Sequence, residues 1–160
     1  MKELKIETTL YVYDALSELD KEVQDLMEQA VEARDKAYAP YSKFYVGAAL
    51  LLDNGEVITG SNQENASYPS GLCAERTAIY YAGAKYPKAQ IVRMAVTAAS
   101  QINKTTAPIP PCGACRQAIA EYEVKQEVPI KIYFMGETGA VAVSNSLANL
   151  LPLLFDKAAL

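Results

Sequence analysis

Apolar and polar residues alternate from Leu4 through Ile6, Thr8, Leu10 and Val12, which predicts a strand over residues 3–12. Val23, Leu26, Met27, Ala30, Val31 and Ala37 then recur at helical spacing, predicting a helix that begins near Ser17, is stopped by Pro40 and packs one face on a core. The apolar run over residues 46–52 reads as a buried strand. Asn54-Gly55 predicts a type I′ turn, and residues 57–61 return as the second strand of a hairpin. Residues 73 to about 84 have a helical composition, with Ala74, Ala78, Ile79 and Ala82 facing inward and Gly83 ending the helix. A β-type run follows over 91–98. The rigid Pro108-Ile109-Pro110-Pro111 stretch then delivers Cys112 to the start of another helix, with Ile119 and Tyr122 on one face. Residues 128–135 and 139–143 read as the last strands, and 147–155 as a packed apolar end. This order implies an α/β sandwich around a mixed sheet. There is no repeat, low-complexity segment or linker, so residues 1–160 read as one domain.

Composition narrows the partners. Hydrophobic residues make up 51% and charged ones 21% of the 160 positions, ordinary for a globular chain. Lys and Arg total 15 against 19 Asp and Glu, a net charge of −4 without a basic run, which argues against nucleic acid and for a small-molecule partner. Met1-Lys2-Glu3-Leu4-Lys5 has no apolar region, and the longest apolar runs are too short to span a bilayer. No membrane partner is expected, and the cytoplasm is the expected compartment. Three cysteines do not suit a disulfide framework; thiols held reduced as metal ligands fit better.

Those three cysteines fall in two short motifs, Cys73-Ala74-Glu75-Arg76 and Pro111-Cys112-Gly113-Ala114-Cys115-Arg116. The pattern C-x-E … P-C-x-x-C is a known signature of zinc-dependent base deaminases, in which the first ligand is histidine or cysteine. A catalytic zinc takes three protein ligands and leaves its fourth position to water. With no histidine in the chain, Cys73, Cys112 and Cys115 are the natural ligands of one Zn2+. Glu75, two residues after the first ligand, is placed to take a proton from water and return it to a leaving group.

Three thiolates over-neutralise a divalent cation and blunt its effect on water. Arg76 and Arg116, each directly after a motif residue, are expected to draw charge back, helped by helix N-terminal amides. Between the hairpin and the first cysteine, residues 62–68 set amides and a carboxylate beside a strand end, a common place for a polar ligand.

Four segments carry a resemblance to a known family: Ala39-Pro40-Tyr41-Ser42-Lys43-Phe44 with Val46-Gly47-Ala48-Ala49; Asn62-x-Glu64-Asn65-Ala66-Ser67-Tyr68; Cys73-Ala74-Glu75-Arg76-Thr77-Ala78; and Pro111-Cys112-Gly113-Ala114-Cys115-Arg116-Gln117. In this order, over residue 20 to about Phe155, the chain resembles cytidine deaminase of the short, homotetrameric, three-cysteine type. The resemblance implies a three-layer α/β/α sandwich around a mixed five-stranded sheet. It implies zinc on Cys73, Cys112 and Cys115, Glu75 as the proton shuttle, and Arg76 tempering the thiolates. Phe44 would pack on the nucleoside, Asn62 and Glu64 would hold the ribose 3′-hydroxyl, and the Ala74 amide would read the pyrimidine edge with Glu75. Tyr68 and Phe155 would belong to a pocket shared between subunits. Residues 1–19 have no counterpart in the shortest members and are expected to form an added edge strand or an interface element.

The expected reaction is hydrolytic deamination of cytidine and deoxycytidine to uridine and deoxyuridine, with release of ammonia, in pyrimidine salvage. Two other readings stay open at this point. A structural zinc module would need a fourth ligand, for which Glu75 is the candidate. A deaminase of another base, or of nucleic acid, would have to tolerate a phosphate beside the Glu64 charge.

Overall fold

The computed structural model describes residues 1–160, the side chain of Ala159 excepted. Its sheet holds six strands: β1 (Tyr11–Tyr13), β2 (Phe44–Leu52), β3 (Val57–Ser61), β4 (Ile91–Ser100), β5 (Lys131–Met135) and β6 (Val141–Ser144), in the order β1-β6-β5-β4-β2-β3. Only the β4–β5 pair is parallel, so the sheet is mixed. One helix, α1 (Lys21–Arg34), covers one face; α2 (Ala74–Lys85) and α3 (Gly113–Gln126) cover the other.

Each helix forms for local reasons. Asp20 caps α1 by accepting from the Val23 amide at 2.9 Å, with Glu22 in the first turn and Arg34 in the last complementing the helix dipole. Its buried face, Val23, Leu26, Met27, Ala30 and Ala33, packs on Ala49, Ala95 and Tyr133 of the sheet. On the opposite face Ala78, Ile79 and Ala82 of α2 and Ile119 and Ala120 of α3 pack on Leu50, Met94, Val96, Ile132 and Phe134. Ile79 and Ile119 are fully buried and contribute roughly 2 kcal/mol each by leaving water. Because both faces of the sheet are covered, its central strands read as unbroken apolar runs.

Five expectations are corrected. The sheet has six strands, not five, because part of the N-terminal segment adds β1 to the β6 edge, with Tyr11 opposite Val143 and Tyr13 opposite Val141. The expected strand over 3–12 pairs only from Tyr11, since β6 ends at Ser144 and does not extend past residue 10. The hairpin turn is not type I′. Gly55 donates to the Leu52 carbonyl and Leu52 to that of Glu56, and among residues 53–55 only Gly55 has positive φ (83°). That is a type I turn closed by a glycine bulge, which places Gly55 one position later than the type I′ reading required. Gly83 lies inside α2, not at its end: a Cβ there would sit 2.5 Å from the Tyr122 hydroxyl of α3, so any larger residue would have to displace the Tyr122 ring. Ala37 falls beyond α1, which ends at Arg34.

Candidate metal centre and substrate cavity

The N-termini of α2 and α3 meet, and the two cysteine motifs sit on them. Cys73 is the residue before α2, Cys112 the residue before α3, and Cys115 lies in the first turn of α3. Neither Cys73 nor Cys112 uses its sulfur to cap the helix, which leaves all three thiols available. Sγ of Cys73 lies 3.9 Å from that of Cys112, which lies 3.5 Å from that of Cys115; all three fall within 4.8 Å of one another. A tetrahedral zinc with bonds of about 2.3 Å needs sulfurs about 3.8 Å apart, so the donor set fits that metal. Glu75 is not part of this three-sulfur group.

The electrostatics suit thiolate ligation. The neighbouring Cys115 thiol and then the Arg76 guanidinium, whose Nη2 lies 3.7 Å from Sγ, pull Cys73 down to about 5 against the cost of burial. Cys115 moves the other way: it holds its proton for Cys73, and burial and the Glu75 charge push the same way. Arg76 Nε is buried without a partner, so the guanidinium is committed to this site by the sulfur contact. Arg116 does not share the task expected of it. Its Nε donates to the Pro111 carbonyl and its Nη1 to the Leu150 carbonyl, both at 2.8 Å, so it ties the α3 motif to the C-terminal segment.

Glu75, in the first turn of α2, is 4% exposed. Burial raises its carboxyl above the usual carboxylate range, and the Cys73 thiolate adds to the effect. A carboxyl tuned upward in this way suits proton transfer near neutral pH.

A cavity of about 630 Å³ opens over the sulfurs. Phe44, Asn62, Glu64, Tyr68, Cys73 and Glu75 all line it, which brings together most of the residues singled out from the sequence. Ala74, fully buried, is the first residue of α2, where the amide has no acceptor inside the helix. Glu64 Oε2 accepts from the backbone amides of Tyr41 (2.9 Å) and Ser42 (3.3 Å), and the Ser42 hydroxyl foremost holds its carboxyl below the usual range. Asn62 bridges β2: Oδ1 accepts from the Val46 amide at 2.8 Å, and Nδ2 donates to the Phe44 carbonyl at 2.9 Å. Tyr68 is 76% exposed and meets Tyr41 edge-on, with centroids 6.2 Å apart. Phe155 is away from this cavity and 61% exposed, its carbonyl held by Gln117 Nε2 at 2.9 Å.

Sequence reasoning missed Val96, Ile109 and Pro110 in the cavity wall, and the anchoring of Glu64 by the Tyr41 and Ser42 amides. The prolines before Cys112 marked the segment but not its facing; Val96 on β4 had no signal beyond its apolar run.

A three-thiol site at two helix N-termini, with a buried carboxyl beside it under an open cavity, defines a zinc-dependent hydrolytic deaminase. The cytidine and deoxycytidylate deaminase zinc-binding region matches as a family over residues 20–131. A cytidine deaminase of Sporosarcina psychrophila is 41% identical over 139 residues, 85% of this chain and 93% of that protein. One from Halalkalibacterium halodurans is 51% identical over 98 residues, 61% of this chain and 70% of that one. The crystal structure of cytidine deaminase from Burkholderia pseudomallei superposes with a TM-score of 0.72 at 40% identity, covering 86% of this chain and all of that one. The chain belongs to the cytidine deaminase family.

Proposed function

We propose that the protein deaminates cytidine and deoxycytidine hydrolytically, giving uridine or deoxyuridine and ammonia, with Cys73, Cys112 and Cys115 holding one Zn2+ and Glu75 as the catalytic acid–base. The observation that carries this reading is the buried Glu75 carboxyl next to the three sulfurs, on the wall of a cavity large enough for a nucleoside. Held by these sulfurs, zinc would supply the Lewis acidity that makes water nucleophilic at neutral pH. Glu75 would take one proton from the attacking water and deliver it to N3 of the base as the C4–O bond forms, then take the remaining hydroxyl proton and give it to the amine as the C4–N4 bond breaks, leaving the C4 carbonyl and ammonia. The Ala74 amide, with no acceptor in its helix, orients the pyrimidine edge, and Phe44 packs on the ring.

Glu64 and Asn62 bind the ribose. Both are already immobilised by backbone partners, so little side-chain entropy is lost when a sugar hydroxyl docks. A 3′-phosphate would meet the Glu64 charge, which favours free nucleosides over nucleic acid. The structural-module reading is disfavoured because Glu75 is not within the sulfur group. Tyr68 and Phe155, both exposed here, fit a pocket completed by neighbouring subunits, and with it a homotetramer. Cytoplasmic pyrimidine salvage by a single domain over residues 1–160 accords with this substrate class. No helix among the described residues is long and apolar enough to cross a membrane.

The test follows cytidine absorbance in the ultraviolet with zinc per chain measured on the same sample. Conversion to uridine with one zinc per chain is expected, and Glu75→Ala should retain zinc while losing turnover. Near-normal deamination by Glu75→Ala would refute the assignment.

A further inference from the structure

The N-terminal arm is unexplained by the deaminase site. Residues 1–10 lie outside any strand or helix, yet they continue β1 directly and keep its alternation. By alternation Leu4 (78% exposed), Ile6 (46%) and Leu10 fall on one side of an extended arm and Glu3, Lys5 and Glu7 on the other, and Lys5 and Glu7 form an ion pair at 2.5 Å. β6 ends at Ser144, opposite residue 10 by continuation of the register, so the arm overhangs the sheet with its backbone donors and acceptors unclaimed by a ladder. A strand-forming segment on a sheet edge is a template for another strand.

We propose that this arm pairs antiparallel with the same arm of a second copy of the chain, about a twofold axis at Ile6. Charge favours a second copy as the partner and narrows the register. With Ile6 opposite Ile6, Lys5 faces Glu7 of the other copy and Glu7 faces its Lys5, while Leu4 faces Thr8; the ladder runs over residues 2–10. Sliding the pairing so that it centres on Lys5 sets Lys5 against itself and Glu3 against Glu7; centring it on Glu7 sets Glu7 against itself. Like charges directly opposite destabilise a ladder. Centring on Leu4 also keeps opposite charges, Glu3 against Lys5, and is told apart by Leu4→Cys, which would then crosslink alone. The other open edge, β3, carries no charged residue among Val57–Ser61, so an arm paired there would leave Lys5 and Glu7 without opposed partners. The arm contributes no residue to the cavity, so the inference is independent of the deaminase reading.

Directly opposed strand residues have Cα atoms about 4.5–5.5 Å apart, within disulfide range. The zinc-loaded full chain carrying Ile6→Cys should therefore form a covalent dimer under mild oxidation. Leu4→Cys and Thr8→Cys chains should each stay uncrosslinked alone and crosslink when mixed. In sedimentation, Lys5→Glu should raise the dissociation constant of the arm contact about tenfold, since two opposed pairs become like-charged. Lys5→Glu with Glu7→Lys should restore it, and deamination per zinc should stay constant throughout. An Ile6→Cys chain that does not crosslink, or a double variant as weak as Lys5→Glu, would overturn the proposal, the first outcome also being what pairing to the β3 edge would give.

Discussion

Gly60→Ala tests whether packing behind the site sets its geometry. Gly60 lies on β3 beneath α2, and a Cβ there would sit 2.6 Å from the Ala74 carbonyl and 2.6 Å from the Ala78 amide. Both obstacles are helix backbone, so no rotamer change relieves them. Restoring an ordinary contact of about 3.4 Å moves the first turn of α2 by about 0.8 Å, and that turn carries Cys73, Ala74 and Glu75. Overpacking of this kind costs about 2 kcal/mol, or a fall of about 6 °C in Tm for a chain this size. A misplacement approaching 1 Å at a reacting group costs up to about 10²-fold in kcat. Thermal unfolding of the zinc-loaded protein and cytidine turnover at saturating substrate measure the two effects, with Thr59→Ala, an exposed position on the same strand, as the control. A Gly60→Ala protein with unchanged Tm and kcat would show that contact with β3 does not position α2.

Cys112→Ala should lose stoichiometric zinc, read by metal analysis after dialysis, because two thiols cannot supply the three ligands of the site; full occupancy would disprove the ligand set. Glu75→Gln should stabilise the metal-free protein at neutral pH. The folded-state carboxyl titrates above its unfolded value, so its contribution to stability is lost as pH rises through the folded pKa, and glutamine removes that loss. The gain in unfolding midpoint should vanish below the ordinary carboxylate range, and a pH-independent gain would contradict burial as the cause. Glu123→Ala should cost about 3 kcal/mol in denaturant unfolding while sparing zinc, because the carboxylate accepts from the Ile130 and Leu147 amides at 2.7 and 2.9 Å and from the Ser146 hydroxyl at 2.6 Å. A loss below about 0.5 kcal/mol would place those donors in water instead.

What was legible in the chain was whatever its own periodicity or chemistry encodes locally. The inward face of α1 appears as read for Val23, Leu26, Met27 and Ala30, though not for Val31 and Ala37, and the cysteine spacing reflects how few residues span one turn at a helix start. What was not legible depends on residues far apart in sequence. Gly83 looks like a stop because glycine is a poor helix former, but Tyr122, 39 positions later, fills the space a side chain would need. Arg116 looks like a counterion for thiolates because it follows Cys115; the Leu150 carbonyl, 34 positions away, draws it off. The Asn54-Gly55 pair announces a turn, yet its type is set by where the β2–β3 register ends, at Leu52 and Glu56.

The N-terminal arm extends the same argument beyond one chain. Its alternation is as regular as that of any strand in the sheet, and β1 forms where β6 supplies partners and nowhere else. Period-two patterning states which side chains share a face but not whether a second strand exists to satisfy the backbone. Within one chain that partner is missing for residues 1–10, so the pattern outruns the structure. The opposed Lys5 and Glu7 suit an arm whose partner is its own copy, because antiparallel self-pairing about Ile6 turns a neighbouring ion pair on one strand into two across the ladder. The place where the strand prediction fell short is therefore where the sequence specifies an intermolecular ladder.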